Sequence, residues 1–153
     1  MNNLVGWTIT QALEFTYGHH YYSVGGKVFK QADGGPQGLD TAVECSEVYM
    51  LEFDRGFLLL LNKLGLKVWV YVRYVDDITV VAPAIKHGWD YDPVLRKMVY
   101  SNDMQWESPD IRTMKVLQKI ANSLDRNLQF TVDCPGLQES RKLPILDITV
   151  WVD

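Results

Sequence analysis

Length, composition and charge limit what this chain can be. Its 153 residues, 47% of them hydrophobic, suffice for one domain with a core and exclude a disordered chain. A net charge of −4 argues against a self-sufficient nucleic-acid binder, which needs a basic surplus to neutralise phosphates. The longest apolar block, residues 57–61, is too short to cross a bilayer, so we expect no membrane span and no signal peptide.

The first third of the chain is predicted to form a helix, a hairpin and a loop. The apolar spacing predicts a helix over 8–18. Gly25 and Gly26 separate two β-rich runs and predict a tight hairpin over 21–31, because glycine accepts positive φ. A glycine-rich loop over 32–39 follows.

The middle of the chain is predicted to be a long helix followed by two short strands. The pattern over 40–64 is helical and apolar nearly all round in its second half, which predicts a central, buried helix closed by Gly65. The β-branched and aromatic run over 68–82 is interrupted by Asp76 and Asp77. This pattern predicts a hairpin with the two carboxylates at its turn.

The last third is predicted to contain an irregular insertion over 83–105, one helix and two strands. Ser108 and Pro109 indicate the start of the helix. Its predicted buried stripe is Ile111, Met114, Leu117, Ile120, Ala121 and Leu124. Its predicted solvated face carries Arg112, Lys115 and Lys119, for which phosphate binding is the alternative. With strands over 129–134 and 143–152, residues 1–153 are predicted to be one α+β domain, an antiparallel sheet backed by two longer helices.

The adjacent carboxylates are the strongest chemical signal in the sequence. Placing Asp76 and Asp77 side by side is unfavourable, because the two groups repel each other and resist desolvation. A divalent cation removes that cost, and Mg²⁺ prefers carboxylate oxygen. The pair is therefore a candidate metal site for phosphoryl chemistry. Its alternative is ordinary turn chemistry in an exposed loop.

Three motifs in order resemble the palm domain of reverse transcriptases. Gln31-Ala-Asp-Gly-Gly-Pro-Gln-Gly-Leu39 resembles motif B, Arg73-Tyr-Val-Asp-Asp-Ile78 resembles motif C, and Leu143-Pro-Ile-Leu-Asp147 resembles the motif E region. The combination is most similar to the enzymes of Penelope-like retroelements, the relatives of telomerase catalytic subunits. The resemblance covers about residues 12–152.

The resemblance implies a polymerase palm-like fold and an RNA-directed DNA polymerase, a metal-dependent nucleotidyltransferase. Asp76 and Asp77 would be its catalytic and metal-binding residues, with Mg²⁺ or Mn²⁺ as cofactor, Asp76 as direct ligand and Asp77 peripheral. The partners of the intact parent enzyme would be an RNA template, a DNA primer and a deoxynucleotide. The resemblance implies that this enzyme acts inside the cell, in the nucleus. The residues implied to contact nucleotide or template are Gln31, Gly35, Pro36, Gln37 and Gly38. A plain strand-to-helix loop is the alternative for these glycines.

The chain departs from the family pattern in its metal ligands and its charge. No carboxylate precedes Glu14, so we expect that the Asp of motif A is missing, together with fingers and thumb, and that a cation binds weakly. Acidic Asp40, Glu44 and Glu47 follow motif B and would repel a template phosphate. The alternative function is therefore a domesticated or decayed palm-like module that acts through protein–protein association. Without fingers and thumb, apolar sheet surface and strand edges would be open to water, so we expect the isolated chain to form a homo-oligomer, with exchange of the terminal strand between copies as one route.

We expect no primer extension by the purified chain alone, because one carboxylate of the implied metal-binding set is missing. The measurement is extension of a DNA primer on an RNA template with Mg²⁺ or Mn²⁺. Extension that disappears in Asp76→Asn would contradict this expectation.

Overall fold

The chain has an α+β fold, as the sequence predicts. A computed structural model describes residues 3–32, 34–35, 38–101, 107–145 and 148–151. The helices are α1 (Asn3–Gly18), α2 (Ala42–Lys63) and α3 (Pro109–Asn122), and a 3₁₀ turn covers Pro135–Leu137. The strands are β1 (Tyr21–Val24), β2 (Lys27–Lys30), β3 (Val70–Tyr74), β4 (Asp77–Val81), β5 (Trp89–Asp92), β6 (Lys97–Tyr100), β7 (Lys142–Ile145) and β8 (Ile148–Trp151). Over these ranges, no helix combines the length and apolarity needed to cross a bilayer.

The strands form four separate antiparallel hairpins: β1–β2, β3–β4, β5–β6 and β7–β8. Each hairpin pairs strands that are neighbours in sequence, and in the described part of the chain no strand ladder joins one hairpin to another. The structure therefore supports the α+β class and does not show the single sheet backed by two helices.

The chain divides into two compact units, Met1–Tyr49 and Met50–Asp153, and its assignment as one domain stays a prediction. The first unit contains α1, the β1–β2 hairpin and the start of α2, and none of its described residues is buried. The predicted glycine turn is confirmed, since Gly25 and Gly26 have φ values of 57° and 76° between the paired strands.

Helix α2 ends as predicted but is buried on one face only. Gly65 has a φ of 71°, and the Leu66 N–H donates to the Leu61 carbonyl at 2.9 Å, which closes the helix in a Schellman motif. The buried residues recur at helical spacing: Met50, Phe53, Phe57 and Leu61. Leu58 and Leu59 are 39% and 66% exposed, so the prediction of a helix buried nearly all round is wrong. The core of the second unit packs against one side of α2 only.

The described part of the predicted irregular insertion, residues 83–101, contains two regular strands. β5 and β6 form a hairpin whose loop is closed by Asp92, because its Oδ1 accepts two backbone N–H groups at 2.8 and 2.9 Å. Tyr91 is buried in the core, and its hydroxyl lies 3.1 Å from Ser123 Oγ. The conformation of the loop therefore depends on the Asp92 side chain and not on a glycine. Residues 102–105 of the predicted insertion lie outside the described ranges.

Helix α3 begins where predicted, with Ser108 at the N-cap and Pro109 in the first turn. Its buried residues are Arg112, Thr113, Val116, Leu117, Ile120 and Ala121. The predicted stripe is confirmed for Leu117, Ile120 and Ala121, and Met114 and Leu124 are partly buried and pack against the core. Ile111 is only partly buried, whereas Arg112, Thr113 and Val116, which were not in the predicted stripe, are buried. The face that enters the core is therefore rotated about the helix axis from the predicted one.

The rotation of α3 follows from Arg112, which the sequence places on the solvated face. Arg112 is 5% exposed, and its Nε and Nη2 donate to the Ile85 carbonyl at 3.0 and 2.9 Å. A buried guanidinium that satisfies a backbone carbonyl is stable where an unpaired one is not. The other two cations of the predicted face, Lys115 and Lys119, are exposed as predicted, and each forms an ion pair.

Two strand predictions in the last part of the chain are wrong. Residues 129–134 form no strand, because side chains of α3 satisfy the backbone there: Asn122 Oδ1 accepts the Phe130 N–H at 2.7 Å, and Gln118 Nε2 donates to the Phe130 carbonyl at 2.7 Å. The predicted strand over 143–152 is instead the β7–β8 hairpin. Residues 146–147 and 152, which belong to that prediction, lie outside the described ranges.

Candidate functional site

The β3–β4 hairpin presents the two carboxylates, as predicted. Tyr74 pairs with Asp77, so Val75 and Asp76 form a two-residue turn. Asp77 begins β4 on the face that carries the exposed Tyr74, because cross-strand partners share a face of the sheet. Asp76 and Asp77 are both exposed. The two carboxylates are therefore accessible to a ligand, and they occupy different positions in the hairpin.

The turn has an unusual backbone conformation at Val75. Its φ is 56°, and a β-branched residue at positive φ is an outlier, since glycine is the usual residue there. Such a conformation costs on the order of 1–3 kcal/mol and persists only where the surrounding structure imposes it. Contacts outside the turn must therefore hold Val75 in place.

A polar network beneath the turn supplies these contacts. Arg73 Nη1 donates to the Val75 carbonyl at 2.7 Å, and its Nε donates to Asp54 Oδ2 at 2.9 Å. The other oxygen of Asp54 accepts the Tyr71 hydroxyl at 2.6 Å. The Arg73 and Asp54 side chains are 10% and 15% exposed, so solvent screens this ion pair little. The network connects α2 to the turn.

Strand alternation places the network on the inner face of the hairpin. Tyr71 and Arg73 are two residues apart on β3 and point to the same side. The ring of Tyr71 packs on Phe57 of α2, with centroids 6.0 Å apart. Burial and the hydrogen bond to Asp54 raise the pKa of Tyr71, so the hydroxyl remains a donor. The inner face is thus anchored by one apolar contact and one ionic contact to the same helix.

The donor set at the turn fits a hard cation only in part. Two adjacent carboxylates supply oxygen ligands of the kind that Mg²⁺ and Mn²⁺ prefer. In the described part of the chain, no group of three or more His, Cys, Asp or Glu side chains could hold a metal ion. Asp76 and Asp77 would therefore need water or a phosphate to complete the coordination, which is common for Mg²⁺.

The glycine-rich loop of the first unit has its own local structure. Gln31 Nε2 donates to the Gly34 carbonyl at 3.2 Å, and Gly34 and Gly38 have φ values of 76° and 89°. A Cβ on Gly35 would lie 2.9 Å from Cε1 of Tyr17, so any larger residue would have to displace the Tyr17 ring. Gln31, Gly35 and Gly38 of the predicted contact residues are thus placed in one loop. Pro36 and Gln37 lie outside the described residues.

Tyr17 supports the same loop from α1. Its hydroxyl donates to the Thr41 carbonyl at 3.3 Å. A hydrogen bond with Cys45, together with burial, raises the pKa of Tyr17. The loop and the carboxylate hairpin belong to different compact units. The palm-like fold that the resemblance implies would bring Asp76 beside loop 34–38, and this stays a prediction.

Asp54 is a member of the site that was not predicted from the sequence. Asp54 lies four residues after Met50 and three before Phe57, on the buried stripe of α2. A carboxylate on an apolar stripe needs a buried partner, and a nearby strand with Tyr71 and Arg73 at alternate positions offers two donors. This combination is the signal from which the network could have been predicted.

Comparison with known proteins gives no match: no protein-family model, curated protein or solved structure is similar to the chain.

Proposed function

We propose that this chain is the palm part of an RNA-directed DNA polymerase of a retroelement, with Asp76 as the direct metal ligand and Asp77 as a peripheral one. The observation that carries the proposal is the geometry of the Tyr74-Val75-Asp76-Asp77 hairpin. It holds two adjacent, exposed carboxylates on a two-residue turn that is anchored from beneath. The motifs over 31–39 and 143–147 support the same family, and the Penelope-like group resembles them most.

The chemistry of nucleotidyl transfer explains why such a turn would be useful. When bound, a divalent cation supplies charge stabilisation at the attacking and leaving oxygens of an in-line displacement. The chain's own contribution is to hold Asp76 at a fixed position, through a short turn with few accessible conformations. In the intact parent the partners are an RNA template, a DNA primer and a deoxynucleoside triphosphate, and the place of action is the nucleus.

The loop over 31–39 is proposed to contact the incoming nucleotide or the template. Gly35 and Gly38 lack side chains that would obstruct close approach of a base or sugar, and Gln31 is held toward the loop by its bond to Gly34. Pro36 and Gln37 belong to the same proposed contact by the motif alone. A palm-like sheet that joins the separate hairpins is part of this proposal.

We expect weak Mn²⁺ binding centred on the turn, with Asp76 contributing more than Asp77. The pair attracts a cation, but it offers two protein ligands where a complete site has more. The measurement is a titration with Mn²⁺, followed by paramagnetic broadening of assigned amide signals. Broadening should centre on residues 74–79 and should weaken strongly in Asp76→Asn and less in Asp77→Asn.

A matched control is Asp92→Asn, which changes an aspartate at the end of β5, beside the turn of another hairpin. It should leave the broadening at residues 74–79 unchanged. Broadening centred elsewhere in the wild-type chain would contradict the metal site, and with it the proposed catalytic role of the carboxylates.

A second candidate function, association with other protein chains, is favoured by the exposed apolar surface. Many large apolar side chains are at least 60% exposed, and they include Leu4, Trp7, Phe15, Tyr21, Val24, Val28, Ile148 and Trp151. Exposed apolar area of this kind is typical of interaction surfaces. The edges of two-stranded hairpins also leave backbone groups open to pairing. A decayed palm-like module that acts through association would use these features without catalysis.

We expect the purified chain to form a homodimer or a larger homo-oligomer, because self-association buries the exposed apolar side chains at low cost. Exchange of the terminal strand between copies is one route to such a dimer. Light scattering at several protein concentrations measures the mass. A monodisperse monomer at about 100 μM, well above the micromolar affinity of a modest interface, would contradict the expectation.

A further inference from the structure

Arg73 links a residue of α2, Asp54, to the carboxylate turn. Val75 adopts a φ of 56°, and its carbonyl accepts a hydrogen bond from Arg73 Nη1 at 2.7 Å. Arg73 is an unbranched, rotamer-rich side chain, so it can hold the carbonyl in a fixed place only if its own guanidinium is fixed. Asp54 contributes to this, since its Oδ2 accepts the Nε–H of Arg73 at 2.9 Å.

Both oxygens of Asp54 have a donor of their own. Oδ1 accepts the Tyr71 hydroxyl at 2.6 Å while Oδ2 accepts Arg73, so the carboxylate plane is set by two contacts to β3. Because Asp54 and Arg73 are 15% and 10% exposed, water competes little for either group. The chain of contacts from α2 to the turn is therefore short and shielded.

We propose that Asp54 is a positioning residue that acts through Arg73 to set the conformation of the Val75–Asp76 turn, and so the position of the Asp76 carboxylate. Loss of the Asp54 charge and of one of its two acceptor oxygens weakens the hold on the guanidinium, and with it the hydrogen bond to the Val75 carbonyl. Val75 then relaxes toward negative φ, which β-branched residues prefer. That change rotates the peptide between Val75 and Asp76 and moves the carboxylate from its position at the turn. The consequence for metal binding rests on the proposed function, whereas the effect on the turn does not.

Tyr71 separates positioning from simple anchoring of the hairpin. It shares Asp54 with Arg73 and also packs on Phe57. Tyr71→Phe removes the hydroxyl that donates to Asp54 Oδ1. It leaves the contacts of Arg73 with Asp54 and with Val75 in place. A role for Asp54 in holding the hairpin to α2 alone predicts similar effects of Tyr71→Phe and Asp54→Asn. The positioning role predicts different effects.

The experiment compares the full chain with Asp54→Asn, Arg73→Lys and Tyr71→Phe by NMR. A strong intraresidue NOE between HN and Hα of Val75 marks positive φ, and Mn²⁺ titration measures cation binding at residues 74–79. In Asp54→Asn and Arg73→Lys we expect the Val75 NOE to weaken and Mn²⁺ affinity to fall about tenfold, the low end of the effect of removing an outer-sphere partner of a metal site. In Tyr71→Phe we expect both to stay as in the wild type. Amide shifts of α3 verify that each variant is folded.

The results distinguish a positioning role of Asp54 from a purely structural one. If Asp54→Asn and Arg73→Lys keep the Val75 NOE and the Mn²⁺ affinity of the wild type, the positioning role is overturned. It is also overturned if Tyr71→Phe weakens the Val75 NOE and the Mn²⁺ affinity as much as Asp54→Asn does. Complete loss of the hairpin in both Asp54→Asn and Arg73→Lys would overturn it too, because the network would then only stabilise the fold. If the wild type binds no Mn²⁺ at residues 74–79 but the Val75 NOE responds as expected, the proposed function fails while the control of the turn by Asp54 stands.

Discussion

Replacing Phe57 by alanine is expected to lower the free energy of unfolding by about 3–5 kcal/mol, as is usual for removal of a buried aromatic ring. Phe57 is 3% exposed and stacks on Phe53 with centroids 5.8 Å apart. It also packs on Tyr71 of the carboxylate hairpin. Replacement of the ring by a methyl group leaves a cavity between α2 and β3, because neither element can move far enough to fill it. The measurement is chemical denaturation, followed by far-ultraviolet circular dichroism.

Leu59→Ala is the matched control, two residues along the same helix. Leu59 is on the exposed side of α2, and alanine is the stronger helix former, so the change should be within about 0.5 kcal/mol of zero. If Phe57→Ala and Leu59→Ala lower the free energy of unfolding equally, Phe57 does not lie on the buried face of α2.

The second large effect is expected for Arg112→Met. The substitution keeps most of the buried aliphatic volume and removes the donors to the Ile85 carbonyl, which stays buried without them. Loss of a buried hydrogen bond from a charged group, with an unpaired acceptor left behind, costs about 2–3 kcal/mol. Chemical denaturation, followed by far-ultraviolet circular dichroism, measures this change in the free energy of unfolding.

Lys115→Met on the same helix is the control for charge and helix propensity. Lys115 forms an exposed ion pair with Glu107, and such pairs contribute at most about 1 kcal/mol. If Arg112→Met costs no more than Lys115→Met, the buried position of Arg112 is wrong, and the face predicted from the sequence is the correct one.

The two proposed functions make different demands on the same hairpin. A polymerase needs Asp76 held at one position, and the network of Asp54, Arg73 and Val75 would provide that. An association module needs exposed apolar surface and has no use for a valine held at positive φ. The Mn²⁺ titration and the light-scattering measurement decide between the two.

What the sequence determined by itself is local. The turn at Gly25 and Gly26, the helix end at Gly65, the helix start at Ser108 and the hairpin around Asp76 each depend on residues within a few positions of each other. Glycine at positive φ, proline in the first helical turn and carboxylates at a break between β-rich runs act through the backbone of their own segment. Local steric and hydrogen-bonding preferences of this kind can be predicted without knowing the rest of the chain.

The tertiary structure decided which groups are buried and which partners they have. The face of α3 in the core depends on a carbonyl of Ile85, far away in sequence, that Arg112 satisfies. The backbone at Phe130 forms no strand because α3 side chains bond to it. The support of the carboxylate turn depends on Asp54, a residue of another element. Each of these outcomes rests on satisfying a buried polar group across a long sequence separation, which no local pattern encodes.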